Sequence, residues 1–140
     1  MSFDPYIHFT GTCRTAMTAY QQIFGGKLEL SRYGDAPDAT PEARASDLIM
    51  HAALTLGDGR MLLASDFPPG FPGAPQQAVS ISHIAPSADE GRRLFGQLAD
   101  GGVVVMDYAA TFWSDGFGMV KDRFGTHWMV SAPWRAPEGH

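Results

Sequence analysis

The sequence predicts an α+β chain built from two similar βαβββ modules, and three observations carry that expectation. The order strand, helix ending in Gly-Gly, then three strand-like runs occurs twice in 140 residues, with Gly25-Gly26 and Gly101-Gly102 as the two stops. A stretch holding Pro68, Pro69, Pro72 and Pro75 lies between the two copies and cannot form a helix or a central strand. The length suits a single domain, 1–140, with module one at about 3–66, a linker at about 67–77 and module two at about 78–134.

In module one, Tyr6-Ile7-His8-Phe9 reads as a short strand closed by Gly11-Thr12. Cys13, Ala16, Met17, Tyr20, Ile23 and Phe24 recur at spacings of three and four, which predicts a helix over 13–24. Lys27 to Tyr33 reads as a strand, and the polar segment Gly34 to Ser46 as a long loop or a partly ordered arm. Ile49 to Leu56 and Arg60 to Ser65 flank Gly57-Asp58-Gly59 and form a predicted hairpin.

In module two, Ala78 to Ile84 alternates as a strand. Ser87 with Glu90 three residues on predicts a capping box for a helix that buries Leu94, Phe95 and Leu98. Val103 to Tyr108, Thr111 to Trp113, Gly116 to Lys121 and His127 to Ala132 are strand-like, the last two joined by a turn in which Gly125 takes the left-handed position.

Composition narrows the function classes. Hydrophobic residues make up 44% and charged residues 18% of the chain, which excludes a disordered segment. A net charge of −5 with scattered arginines provides no basic stripe, so nucleic acid and anionic membranes are not expected partners. Cys13 is the only cysteine, so neither an internal disulfide nor a thiolate-rich zinc site can form. With no leader-like N-terminus and no long apolar run, the expected location is cytoplasmic. There is no Gly-rich phosphate loop before a helix, no Gly-x-Ser-x-Gly elbow and no metalloprotease helix motif.

Pro5-Tyr6-Ile7-His8-Phe9-Thr10-Gly11-Thr12-Cys13-Arg14, continuing through Ala16-Met17 and Tyr20 to Phe24-Gly25-Gly26, resembles the opening of PhnB-like proteins of the glyoxalase/bleomycin-resistance (vicinal oxygen chelate) superfamily. Thr111 to Gly118, His51-Ala52 with Leu62 to Asp66, and Asp122 to Val130 resemble later parts of the same pattern. The resemblance implies curved antiparallel sheets around a cavity, a bacterial source, and a homodimer that in some members exchanges modules. Metal-dependent members of the superfamily hold a divalent ion through one residue on the first and one on the last strand of each module. Here those positions fall at Pro5 (Tyr6 or Ile7 if the register shifts), near Ala64 to Asp66, at Val79, Ser80 or Ile81, and at Met129. Only Asp66 is a good hard-metal donor, so no metal and no cofactor are expected, and the cavity is expected to bind a small molecule through apolar and aromatic groups.

The expected ligand-binding residues are Trp113, Phe117, His51, His127 and Met129. Trp113 and Phe117 offer aromatic stacking area, with core packing as the equal alternative. His127 and Met129 share one strand face, and His51 lies mid-strand, either as a ligand-facing group or as a satisfied core or interface histidine. Tyr33, Tyr108, Trp128 and Trp134 are second-rank candidates. Cys13 opens the first helix, where a lowered pKa would make a reactive thiolate and burial would make an inert one. Asp115 and Asp122 are expected to fix turns. The alternative function is a metal-dependent lyase, isomerase or dioxygenase that uses an unusual set such as His8, His51, Asp66 or His127.

Overall fold

The computed structural model describes residues 2–135, and the chain folds as two compact units that divide between Gln77 and Ala78. The element order is β1 (Tyr6–Phe9), α1 (Cys13–Phe24), β2 (Lys27–Arg32), α2 (Pro41–Arg44), β3 (Ile49–Thr55) and β4 (Met61–Asp66) in the first unit. The second holds β5 (Ser80–Ile84), α3 (Ala88–Ala99), β6 (Val103–Ala109), β7 (Phe117–Lys121) and β8 (His127–Ser131). Each unit is thus a βαβββ module with one four-stranded sheet.

The first sheet has the order β1-β4-β3-β2 and the second the matching order β5-β8-β7-β6. Both are mixed: the first strand runs parallel to the last, and the two hairpin pairings are antiparallel. The parallel pairing follows from the chain order, since the helix and two strands intervene before the last strand returns beside the first.

Each helix covers one face of its own sheet. The predicted stripe of α1 buries Cys13, Ala16, Met17, Ala19 and Tyr20, which pack toward Ile7, Phe9, Ala52, Leu54, Leu62 and Ala64. In the second unit α3 buries Leu94, Phe95 and Leu98 over Val120, Trp128 and Val130. Each fully buried large apolar side chain contributes about 1.5–3 kcal/mol of transfer free energy, so these two layers carry most of the stabilisation.

The repeated Gly-Gly has a physical cause in both halves. Gly25 and Gly101 turn the chain out of the helix at φ +78° and +73°, in the left-handed region. At Gly26 a Cβ would overlap the Thr55 carbonyl, and at Gly102 it would overlap the Lys121 carbonyl. Only glycine lets the chain cross each hairpin that closely.

The structure corrects two local expectations and decides between the alternatives for a third segment. The 34–46 segment is the partly ordered arm: Tyr33–Asp35 form a 3-10 turn, and Thr40 Oγ1 accepts from Ala43 N–H to cap α2. Thr111 to Trp113 is not a strand, because Thr111 Oγ1 accepts from the Trp113 and Ser114 amides and folds the backbone into a turn. The strand expected from Ala78 begins at Ser80, since Ala78 lies at φ +60°. Ser87 caps α3 by accepting from Glu90 N–H, while the Glu90 carboxylate pairs with Arg93.

The outer strands differ. β2 carries Lys27, Glu29 and Arg32, whereas β6 exposes Val103, Val104, Val105 and Met106. Among the described residues no helix is long and apolar enough to cross a membrane.

Candidate functional site

The register fixes which side chains share the sheet face turned away from each helix. In the first unit, Tyr6 stands opposite Leu63 and His8 opposite Ser65 on β1 and β4, while Ala53 pairs with Leu63 and Ser31 with His51. Directly paired residues lie on one face, so Tyr6, His8, His51, Leu63 and Ser65 belong together. Tyr6 Oη lies 3.4 Å from His51 Nδ1, and Ser65 Oγ lies 3.3 Å from His8 Nδ1. The Tyr6 ring neighbours the His8 ring at 5.1 Å and the His51 ring at 6.0 Å. His8 stacks on Phe67 at 5.3 Å, and Phe67 stacks on Phe71 at 5.6 Å.

In the second unit, the equivalent face carries Ser80, Ser82 and Ile84 of β5, His127, Met129 and Ser131 of β8, and Lys121, Met119 and Phe117 of β7. Phe117 is buried, and Trp113 meets it edge-on at 5.3 Å between ring centroids. His127 Nδ1 is buried and has no hydrogen-bond partner among the described residues. An unsatisfied buried ring nitrogen is costly, which makes it the polar atom of this face with most to gain from a ligand.

Four of the five expected ligand residues therefore lie in the second unit: His127, Met129 and Phe117 on one sheet face, with Trp113 against Phe117. His51 stands in the first unit beside Tyr6. Tyr6, Phe67 and Phe71 join the site only in the structure. The signal available for Tyr6 in the sequence is its period-2 spacing from His8.

The second-rank candidates hold the fold. Tyr33 Oη donates to the Asp66 carbonyl and Tyr108 Oη to the Ala88 carbonyl, and burial pushes both phenols up. Trp128 Nε1 donates to Asp122, whose other oxygen accepts from the Phe124 and Thr126 amides, so Asp122 fixes the β7–β8 turn. Trp134 Nε1 donates to Ser131 Oγ, and Asp115 pairs with Arg135. Cys13 is fully buried, and its thiol is pushed up to about 12 by burial and by the nearby Asp66 carboxylate. The helix start therefore creates no reactive thiolate.

Asp66 settles where the best expected metal donor is spent. It pairs with Phe9, so its side chain lies on the helix face, opposite to His8 and His51. Its Oδ1 accepts from the Gly11 and Cys13 amides at 2.9 and 3.0 Å, and its Oδ2 accepts from Ile49 N–H at 2.9 Å. Among the described residues, no three His, Cys, Asp or Glu side chains come close enough to share an ion. The first- and last-strand positions hold Tyr6, His8, Leu63 and Ser65 in one unit and Ser80, Ser82, His127 and Met129 in the other, a set that does not fit a hard divalent metal.

The family model described as 3-demethylubiquinone-9 3-methyltransferase matches residues 2–131. The chain belongs to this family. Among its relatives is Protein YjdN of Escherichia coli K12, 27% identical over 98% of this chain and 99% of that one. The solved structure of protein PA1353 from Pseudomonas aeruginosa is 42% identical, covers 95% of this chain and 98% of its own, and has a TM-score of 0.86. A PhnB protein of Bacillus cereus given the same methyltransferase description shares the fold at 21% identity and a TM-score of 0.74, covering 94% of this chain and 99% of that one. The fold extends to a glyoxalase/bleomycin-resistance/dioxygenase domain of Frankia at 13% identity, with a TM-score of 0.65, covering 100% of this chain and 95% of that one. The chain is thus a PhnB-like member with the glyoxalase/bleomycin-resistance architecture.

Proposed function

We propose that this PhnB-like chain binds a small, largely apolar molecule without a divalent metal, on the sheet faces turned away from its helices. The observation that carries this reading is the content of the first- and last-strand positions: ring, hydroxyl and thioether groups stand there, and the carboxylate that ends β4, Asp66, is committed to three backbone amides on the opposite face. Apolar and aromatic walls with a few placed polar atoms are the usual chemistry of small-molecule sites. Trp113, Phe117 and Met129 supply the apolar part in the second unit and His127 Nδ1 the polar atom; His51 has that role in the first.

A second reading, metal-dependent chemistry of the glyoxalase or dioxygenase type, has one observation in its favour. His8 and His51 stand on the same face with Tyr6 between them.

The deciding experiment is metal analysis of protein purified without chelator, alongside a thermal-shift screen of neutral aromatic compounds and divalent ions. The first reading expects substoichiometric metal and a rise in Tm with a subset of aromatics. A stoichiometric divalent ion, with no aromatic compound raising Tm, overturns it in favour of the second.

A further inference from the structure

We infer that the far face of the first sheet binds a planar aromatic molecule bearing a hydroxyl, stacked on the ring chain His51, Tyr6, His8, Phe67 and Phe71 with its hydroxyl toward the Tyr6–His51 pair. This rests on the small-molecule reading above and names its ligand class and its location.

The five rings form an unbroken series of contacts, with successive centroids 6.0, 5.1, 5.3 and 5.6 Å apart. All four spacings fall in the range in which aromatic rings attract. The series changes character along its length. From His8 through Phe67 to Phe71 the planes are nearly parallel, at 22° and 14°, which is the geometry a flat ring can extend. Around Tyr6 the planes tilt by 35° and 38°, and this is the polar end.

Four of the rings are open to solvent and Phe67 is half-buried between His8 and Phe71: Tyr6 is 42% and Phe71 59% exposed, and His8 and His51 are also exposed. A row of exposed rings has apolar area still to bury. Phe67 and Phe71 sit in a proline-rich segment that has no regular structure, so strand or helix packing does not account for them. Phe67 is nonetheless held in place, since the Gly73 backbone passes so near that a Cβ there would overlap the ring.

The hydroxyl preference follows from the Tyr6–His51 distance. At 3.4 Å it is long for a hydrogen bond between a phenol and a ring nitrogen, since donor–acceptor separations in protein hydrogen bonds run to about 3.2 Å. Tyr6 Oη and His51 Nδ1 therefore retain capacity to donate to and accept from a third group. On this face Leu63, Ala53, Ser65 and Ser31 carry no charge, and Glu29, which pairs with Ala53 on the same face, has its carboxylate answered by Lys27 at 3.3 Å. The site favours a neutral ligand over an ion.

The test is calorimetric titration of the full chain with 2-naphthol and with its saturated counterpart decahydro-2-naphthol, which has the same skeleton and hydroxyl without the flat rings. The expected result is binding of 2-naphthol, with the saturated alcohol at least about tenfold weaker. Phe67→Leu and Phe71→Leu keep apolar bulk and remove the ring, and each is expected to weaken 2-naphthol about three- to tenfold while thermal unfolding stays cooperative. Gly73→Ala, which displaces Phe67 without deleting it, is expected to weaken binding in the same direction. Tyr6→Phe is expected to reduce the preference for 2-naphthol over naphthalene. Equal binding of the saturated alcohol, or loss of binding in Trp113→Ala with none in the Phe67 and Phe71 variants, overturns this inference and leaves the small-molecule reading standing. Absence of heat with 2-naphthol, together with no stabilisation by any neutral aromatic, overturns both.

Discussion

Replacing Asp66 by alanine removes one acceptor from three buried or part-buried amides, those of Gly11, Cys13 and Ile49. Asp66 is 2% exposed, so water does not readily take its place. A buried donor left without a partner costs about 1–3 kcal/mol. The three losses share one pocket and do not add fully, so Asp66→Ala is expected to lower unfolding stability by about 3–5 kcal/mol, out of the ~5–15 kcal/mol typical of a domain. Asp66→Asn should lose less. Its carbonyl can keep the two amides at Oδ1, but its amide nitrogen then faces the Ile49 N–H, donor against donor. Urea unfolding followed by far-UV dichroism gives the two values. Hydrogen exchange at Gly11, Cys13 and Ile49 locates the loss. If Asp66→Ala unfolds within about 0.5 kcal/mol of the parent, or those amides keep their protection, the carboxylate is not the anchor described above.

Tyr108 runs between Gly91 and Gly116, where a Cβ at either position would overlap its hydroxyl. Gly91→Ala and Gly116→Ala should each destabilise by about 1–3 kcal/mol in denaturant titration. Adding Tyr108→Phe should relieve Gly91→Ala more than Gly116→Ala, because at Gly91 the ring carbon Cζ stays 3.2 Å away whereas at Gly116 it is itself in the way. Equal rescue would show that the slot is formed differently. The Cys13 thiol has a folded pKa raised from 9.0 to about 12, so the unfolded chain ionises first. Its contribution to stability is therefore full below about pH 9 and is lost as pH rises from there toward 12. A thiol reagent at mildly alkaline pH should label the native chain only at the rate of unfolding, and rapid native labelling would contradict the burial.

The two helices, the Gly-Gly stops and the hairpins are legible in the sequence because each rests on a local pattern of few residues. Cys13, Ala16, Met17 and Tyr20 mark the α1 stripe, and Gly125 marks the β7–β8 turn. The shared face of His127 and Met129 follows from alternation alone. Asp66 lies on the helix face, and the same alternation holds the answer, since it has the parity of the buried Leu62 and Ala64. Its three amide partners come from two other segments, 17 to 55 residues away, and no local pattern encodes them. Thr111 to Trp113 reads as a strand because a β-branched and aromatic run also suits a turn once a threonine hydroxyl captures two amides. Phe67 and Phe71 are hidden in the sequence because prolines dominate their segment, and the ring that anchors the pair, His8 against Phe67, comes from β1.

The two helix starts are held by different means. Ser87 caps α3 from three residues before Glu90, while Thr12 makes no side-chain cap on α1 and the Cys13 amide waits for Asp66, 53 residues on. Closing a span of that length costs about 2.5 kcal/mol more chain entropy than closing three residues. The α3 cap joins residues three apart and draws on no other part of its module. The Asp66 acceptor of α1 comes into place only when β4 lies alongside β1, so the two matching halves hold their helix starts through contacts of unequal range, one local and the other drawn from across the sheet.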